Sequence, residues 1–363
     1  MRRIATILIV ALAATACGSG LYQTDDFSAS GAGDSVVFWR MAAGPSGYVG
    51  VGGPVQADDL DEDAGPLSLG AYHSPDGSTW EPTGQFGSIE TPLLGLTAWE
   101  GGYAASGVWD GVPGLFISAD GLTWDQYDLP LPDWFPPAAT VGIESAGIAA
   151  SAQTVLISGF VGDPASPLLW ALTLGEDPGL IDTHIFGDGL RINQVVAGPA
   201  GFVASVVAVA PDEVPPPIWV SADGATWDPV LAPFGHGTVV TGLIGSTAGY
   251  VAIAADAADE ATYTLWTSTN GIDWRARADQ QTVFEHLIGK GGDLYRDLLA
   301  DPREVSETRP IAFAFSGRWI EVLELYEDQR FITVAVAADG ATRIVSGFSG
   351  SDVPTPWVLV AGY

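Results

Sequence analysis

The chain has 363 residues and carries 44 Asp or Glu against 13 Lys or Arg, which gives a formal net charge of −31. This balance argues against nucleic acid as a partner, because binding to phosphates depends on clustered basic side chains. With 47% hydrophobic residues, 46 glycines and 25 prolines, the chain is too apolar to be disordered and too rich in turn formers to be mainly helical, so an all-β fold is predicted.

The amino terminus has the layout of a secretory signal. Arg2 and Arg3 are followed by an apolar run over residues 4–14, and these 11 residues are too few to span a bilayer. The only cysteine, Cys17, lies three residues after the end of this run. The segment resembles the signal of bacterial lipoproteins, in which such a cysteine is lipidated and becomes the first residue of the mature protein.

The resemblance implies three parts of the chain. Residues 1–16 are predicted to be a lipoprotein-type signal peptide, residues 17–33 a lipidated linker with a possible closing strand, and residues 34–363 a single domain. Small residues before Cys17 also fit ordinary secretory cleavage, so plain secretion is the alternative to a lipid-anchored, extracytoplasmic protein. The anchor would be the only membrane contact. A single cysteine also excludes an intrachain disulfide framework.

A phrase of seven residues repeats along the chain, and we refer to its four copies as the boxes. Their tryptophans are 44, 103 and 47 residues apart, so one copy has decayed in the long interval. The boxes are Ser74-Pro75-Asp76-Gly77-Ser78-Thr79-Trp80, Ser118-Ala119-Asp120-Gly121-Leu122-Thr123-Trp124, Ser221-Ala222-Asp223-Gly224-Ala225-Thr226-Trp227 and Ser268-Thr269-Asn270-Gly271-Ile272-Asp273-Trp274.

The repeating unit is longer than its box, because a second phrase precedes each copy and begins at Gly47, Gly102, Gly201 and Gly249. The same template fits degenerate units around residues 154–174 and 311–325 and a partial unit at 331–363, which makes seven. Four short strands per unit of roughly 40 to 50 residues predict a seven-bladed β-propeller with four-stranded antiparallel blades, with six or eight blades as alternatives. The last unit lacks a fourth strand, which a segment within residues 21–30 is expected to add.

The boxes resemble the Asp-box, or bacterial neuraminidase repeat, of sialidase-like β-propellers. The hydroxyl of Ser and the carboxylate of Asp can accept amide hydrogens of their own turn, Gly permits positive φ, and Trp can pack between neighbouring sheets. A structural role is therefore predicted for the box residues rather than a role in ligand binding. These residues are Ser74, Asp76, Gly77, Trp80, Ser118, Asp120, Gly121, Trp124, Ser221, Asp223, Gly224, Trp227, Ser268, Asn270, Gly271 and Trp274.

The resemblance also implies where a binding site would lie. In such propellers the box joins the third and fourth strands, so the loops between the second and third strands surround the channel mouth on the opposite face. In this chain every such loop contains acidic residues, and an acidic ring favours cations or basic partners; a solvated acidic surface is the alternative. These loops are residues 53–66, 108–113, 161–167, 210–217, 255–262, 300–309 and 349–356.

Seven residues in or beside these loops are candidates for ligand binding, because aromatic rings can stack on sugars and carboxylates can pair with basic groups. They are Trp109, Asp110, Trp134, Phe135, Asp163, Asp212 and Glu213. No metal site is predicted, because the acidic run at residues 58–63 lacks the spacing of a helix-loop-helix calcium loop and the four histidines lie far apart. No cofactor is expected.

An enzyme is not favoured, although it stays open. Sialidases carry three arginines that grip a carboxylate and an early Arg-Ile-Pro phrase, whereas this chain has no such phrase and only Arg40 between Cys17 and Arg191. We therefore expect a monomeric, non-catalytic binding or scaffold module for a protein partner or glycan of the cell envelope. The alternative is a glycoside hydrolase of sialidase-like fold that uses carboxylates at the mouth.

Overall fold

The computed structural model of the chain describes residues 8–13, 21–22, 28–29, 36–54, 67–89, 95–109, 112–133, 144–161, 166–181, 183–186, 190–208, 216–231, 233–234, 237–246, 249–256, 259–276, 311–315, 319–324, 331–338, 342–349 and 355–362. These residues are nearly all β and form four-stranded antiparallel sheets, of which seven lie in the described ranges. One turn of 3-10 helix, Thr183–Phe186, is present besides the strands. The architecture is consistent with the blades of a propeller.

Three short strands come first in the chain: β1 (Leu8–Ala13), β2 (Leu21–Tyr22) and β3 (Ser28–Ala29). Sheets I to V follow, and each is built from four consecutive strands. Sheet I contains β4 (Val36–Gly44), β5 (Gly47–Pro54), β6 (Leu67–Ser74) and β7 (Glu81–Ile89). Sheet II contains β8 (Gly95–Trp99), β9 (Gly102–Trp109), β10 (Val112–Ser118) and β11 (Asp125–Asp128).

The next three sheets repeat this order. Sheet III contains β12 (Glu144–Ala150), β13 (Thr154–Val161), β14 (Ser166–Thr173) and β15 (Gly179–Ile181). Sheet IV contains β16 (Leu190–Gly198), β17 (Gly201–Ala208), β18 (Ile218–Ser221) and β19 (Asp228–Val230). Sheet V contains β20 (Thr238–Ser246), β21 (Gly249–Asp256), β22 (Asp259–Ser268) and β23 (Arg275–Ala276).

Sheet VI combines two distant parts of the chain. Its order is β24 (Ile311–Phe315), β25 (Trp319–Glu324), β1 and β2. The sequence pattern led us to expect the third and fourth strands of a unit at residues 311–325. Instead, β24 lies at a sheet edge beside strand β26 (Phe331–Ala338), in the position of a first strand. The reason is that β25 pairs on its other side with β1. The signal peptide at residues 1–16 stays a prediction.

Sheet VII joins the two ends of the chain. Its order is β26, β27 (Thr342–Ser349), β28 (Thr355–Gly362) and β3. Ala29 lies opposite Leu359, and Ser28 lies opposite Val360. The fourth strand of this sheet is therefore a piece of the amino-terminal segment, and its pairing covers the edge that β28 would otherwise expose.

The strands group into two compact units. The central unit, Phe86–Arg277, contains sheets II to V, and the first strands of successive sheets lie side by side within it. The terminal unit combines Met1–Gln85 with Ala278–Tyr363, and there β26 lies between β24 and β4. Adjacent first strands are the arrangement that a propeller requires of neighbouring blades.

The core of the central unit consists of three apolar clusters, one between each pair of successive sheets. The second strand of sheet IV is almost continuously apolar because both of its faces are covered. Its residues Phe202, Val203, Ala204 and Val206 are all at most 2% exposed. The fourth strand of sheet II, Asp125–Asp128, is an edge strand and is polar, with three of its four side chains exposed. Trp227 and Trp274 are buried in the clusters beside sheets IV and V.

Candidate functional site

The residues predicted to bind a ligand are almost all outside the described residues. Trp109 is the last residue of β9, and only its backbone is described. The other six fall beyond the described ranges: Asp110, Trp134, Phe135, Asp163, Asp212 and Glu213. Their predicted part in binding therefore stays a prediction. What the structure does provide is the framework from which their loops emerge.

The two ends of each boxed sheet differ, and the glycine that begins the second strand shows how. Gly201 has φ of 109° and Gly249 has φ of 147°, a region that other residues rarely adopt. A Cβ at either position would collide with the carbonyl oxygen of the box serine, Ser221 or Ser268. The hairpin between the first two strands and the box thus lie at one end, which we name the box end. The connection between the second and third strands lies at the other, the mouth end.

In each box the serine hydroxyl binds the backbone of its own turn. Its Oγ accepts a hydrogen bond from the glycine amide three residues later, at 2.8, 2.7, 2.7 and 2.9 Å in the four boxes in chain order. The four serines are between 0% and 6% exposed, so without this acceptor the glycine amide would be buried and unpaired. The tryptophan Nε1 of the first, third and fourth boxes donates to the same glycine's carbonyl at 3.0, 2.9 and 2.7 Å.

The carboxylate of each of the three box aspartates, Asp76, Asp120 and Asp223, also accepts hydrogen bonds from its own turn. Asp223 Oδ1 is typical: it accepts the amides of Ala225 and Thr226, both at 2.8 Å, and the hydroxyl of Ser221 at 3.1 Å. Because these hydrogen bonds favour the charged form, the pKa of each box aspartate lies below its ordinary value. For Asp76 the hydroxyl of Ser78 contributes most, and for Asp120 and Asp223 a backbone amide does.

The fourth box replaces this carboxylate with an amide. Asn270 Oδ1 accepts the amides of Ile272 and Asp273 at 3.0 and 2.8 Å, as an aspartate would. Its Nδ2 donates to Asp273 Oδ2 at 2.9 Å, and Asp273 stands where the other three boxes have threonine. Asn270 and Asp273 therefore form a matched pair of substitutions. At the box end, the repeated polar groups are engaged within their own turns.

The mouth end carries a second repeated feature that the sequence analysis did not find. In five sheets the first strand contains a β-bulge at its third or fourth residue, close to where the strand begins. The first strand begins at the mouth end, because it finishes in the hairpin at the box end. The extra residues are Trp39, Ala146, Asn193, Thr241 and Val334. Bulges redirect side chains and are frequent beside functional sites.

Polar side chains accompany the bulges in the central unit. Asn193 Nδ2 donates to the carbonyl oxygen of Val240 at 3.4 Å and so links the bulges of sheets IV and V. The next residue, Gln194, lies directly opposite Ser205. Gln194 Oε1 and Ser205 Oγ are both buried with no hydrogen-bond partner. Serines recur at this position of the second strand, since Ser106 and Ser158 are also buried. They do not mark the bulges, because the pairing of Ser106 in sheet II has no register shift.

Within the described ranges, no group of three or more His, Cys, Asp or Glu side chains could hold a metal ion. Within the same ranges, no helix has the length and hydrophobicity that crossing a membrane requires.

Comparison with known proteins gives structural similarity without sequence similarity. No protein-family model matches the chain, and no curated protein matches it significantly. Among solved structures, an N11 neuraminidase-like protein of A/flat-faced bat/Peru/033/2010 (H18N11) is 8% identical, with a TM-score of 0.45 and coverage of 99% of this chain and 97% of that chain.

Two other structures are similarly distant. A neuraminidase-like protein from A/bat/Guatemala/164/2009 is 8% identical, with a TM-score of 0.44 and coverage of 92% of this chain and 91% of that one. A glycosyl hydrolase from Bacteroides ovatus is 10% identical, with a TM-score of 0.38 and coverage of 90% and 84%.

Proposed function

We propose that the protein is an extracytoplasmic, lipid-anchored, seven-bladed β-propeller of the Asp-box type. Its mouth would bind a protein partner or glycan of the cell envelope without chemically altering it. The lipid would be attached at Cys17. The ring would consist of sheets I to VII, with β3 completing the last blade.

The observation that carries this proposal is the contrast between the two ends of the sheets. At the box end, the repeated serine, aspartate and glycine groups hydrogen-bond within their own turns, which accounts for their repetition by stability alone. At the mouth end, five first strands carry a bulge beside the acidic loops between second and third strands. Repeated bulges cost regular ladder hydrogen bonds, so their recurrence favours a function at this end.

Binding is favoured over hydrolysis by the sequence. It has no Arg-Ile-Pro phrase, and Arg40 is the only arginine between Cys17 and Arg191, whereas sialidases hold the carboxylate of their substrate with three arginines.

The test compares binding and product release by the same preparations. Trp134→Ala, and separately a joint Asp212→Asn and Glu213→Gln change, should weaken retention of the protein on immobilised envelope glycans or on basic envelope proteins. A matched control, Asp125→Asn with Asp228→Asn, removes the same charge from two exposed residues that directly follow boxes. It should leave retention unchanged.

Two results would overturn the proposal. Release of reducing sugar or sialic acid from a glycan panel, abolished by replacing one mouth carboxylate, would establish the hydrolase instead. Equal loss of retention in the mouth variants and in the control would show that binding follows net charge and has no site at the mouth.

A further inference from the structure

The outer edge of sheet III differs from the outer edges of the other three sheets in the central unit. In all four sheets, one residue of the fourth strand lies opposite an aromatic residue of the third strand. This residue is Leu180 in sheet III and, in sheets II, IV and V, Gln126, Pro229 and Ala276. The residue before it is Gly179 in sheet III and, in the other three, Asp125, Asp228 and Arg275. Sheet III therefore lacks a charge that the other three edges carry.

The fourth strand of sheet III has none of the residues that keep further strands away. Charged residues and proline on an edge strand oppose pairing, because a charge is costly to bury and proline has no amide hydrogen. The three residues of β15 are Gly179, Leu180 and Ile181. Leu180 is 38% exposed, and a Cβ at Gly179 would lie 4.0 Å from the nearest heavy atom outside its chain neighbours. The edge of sheet III is thus open and apolar.

The turn before β15 has also lost most of a box. Counted back from the paired positions, Leu172 stands at the place of the box serine, Leu174 at that of the aspartate and Pro178 at that of the tryptophan. The glycine remains as Gly175, with φ of 92°. The backbone holds this turn instead, since the amide of Leu174 donates to the carbonyl oxygen of Gln153 at 3.0 Å.

This turn presents a leucine and two acids to solvent. Leu174 is 39% exposed, and Glu176 and Asp177 are exposed as well. In the first three boxes, the places of these two acids hold uncharged residues. Sheet III therefore combines an uncharged edge strand with an acidic turn at the end where that strand begins.

Sheet IV shows which way the backbone groups of Leu180 are directed. Pro229 occupies the same place there, opposite Trp219, as Leu180 lies opposite Trp170. Proline has no amide hydrogen to donate to the third strand, and successive residues of an antiparallel strand direct their N–H and C=O groups to opposite sides. This position therefore bonds away from the third strand. The N–H and C=O groups of Leu180 accordingly face the open edge.

We propose that this edge is a docking site for an extended segment of a partner protein, which pairs antiparallel with β15 and becomes a fifth strand of sheet III. The segment has uncharged residues opposite Gly179–Ile181. Lys or Arg follows them directly, where an antiparallel strand passes Glu176 and Asp177. A second copy of this chain does not fit, because its net charge is −31 and it brings the same acidic turn. The site is an outer edge of the sheet and is separate from the mouth end.

The first test uses a labelled peptide of alternating valine and threonine followed by lysines. Fluorescence anisotropy should show that the purified protein binds it, and a peptide with glutamates in place of the lysines should bind more weakly. Hydrogen exchange of the Leu180 amide should slow when the lysine peptide is bound, whereas exchange of Gly179 and Ile181, whose amides face β14, should not change. No binding at about 1 mM peptide, or binding without slower exchange at Leu180, would refute the proposal.

Protein variants test the edge and the turn separately. Leu180→Pro gives sheet III the proline that sheet IV accommodates at this place, so thermal unfolding should not change, while binding of the lysine peptide should weaken at least about tenfold. Glu176→Gln with Asp177→Asn should weaken it more than the control, Asp125→Asn with Asp228→Asn, which removes the same charge from other edges. Equal effects of the two pairs, or undiminished binding by Leu180→Pro, would contradict the proposal. Protein dimers that Leu180→Pro abolishes would assign the edge to a second copy instead.

Discussion

The Asn270–Asp273 pair allows a direct test of how a box holds its turn. Replacing Asn270 by Asp restores the residue found in the other three boxes, yet we expect it to destabilise the protein. The amide Nδ2 now donates to Asp273 Oδ2 at 2.9 Å. The variant would exchange this hydrogen bond for two carboxylates in contact.

The expected loss of stability follows from the solvent exposure of the Asn270–Asp273 pair. Asp273 is exposed, so repulsion between two charges about 4 Å apart is close to its value in water, about 1 kcal/mol. Loss of one solvent-accessible hydrogen bond adds about 0.5 kcal/mol, so Asn270→Asp should lower the free energy of unfolding by about 1 to 2 kcal/mol. For a unit of this size the melting temperature should fall by roughly 2 to 8 °C.

The double variant Asn270→Asp with Asp273→Thr should recover this loss. It recreates the arrangement of the second box, where Thr123 donates its hydroxyl to Asp120 Oδ1 at 3.3 Å. Asp273→Thr alone should change stability by no more than about 0.5 kcal/mol, because the site is exposed. Urea and thermal unfolding of all four proteins give a coupling energy of about 1 to 2 kcal/mol. A stable Asn270→Asp variant, or a double variant no better than the single, would refute the reasoning.

Three other predictions concern the boxes and the anchor. Ser221→Ala should lower the free energy of unfolding by about 2 to 3 kcal/mol, because it leaves the buried amide of Gly224 without an acceptor; exposed Ser78→Ala is the control, and equal effects would contradict this. Hydrogen bonds hold the folded-state pKa of each box aspartate below its ordinary value of 3.8. The contribution of these aspartates to the free energy of unfolding is therefore present above that pH and is lost as the pH falls through the folded-state pKa. Urea unfolding should give a lower free energy of unfolding at pH 3 than at pH 5, and this difference should be smaller in Asp223→Asn. An equal difference in Asp223→Asn would contradict the prediction. Mass analysis should find lipid on Cys17, and unmodified Cys17 in exported protein would reject the anchor.

The sequence predicted the repeated parts of the fold because each residue type in a box has few alternatives. A buried serine followed three residues later by glycine, with an aspartate between them, suits a turn whose amides need local acceptors. The structure contains these hydrogen bonds in all four boxes. Even the decayed unit is recognisable, since Trp170 lies in β14, the third strand of sheet III, buried at 1% exposure. Local chemistry that repeats is visible in a single sequence.

Features that depend on pairing between distant segments were harder to predict. The pairing of β1 with β25 depends on which strand occupies a shared edge, and the apolar run at residues 4–14 suits either a signal peptide or a central strand. The bulges were missed for a related reason. Trp39, Ala146, Asn193, Thr241 and Val334 have no common side chain, because a bulge is a property of register between two strands. Six of the seven predicted mouth residues lie outside the described residues, and only the backbone of Trp109 is described, so their part in binding rests on the repeat alone.

Sheet VII has a consequence for how the protein is made. Its fourth strand, Ser28–Ala29, is synthesised more than 320 residues before its partner, Thr355–Gly362. At about 5 to 20 residues per second, that partner follows roughly 15 to 65 s later. The central unit is one continuous stretch of chain, whose four sheets each become complete as soon as their own residues emerge. A chain whose synthesis stops before residue 355 therefore leaves the amino-terminal strand without the partner that holds it.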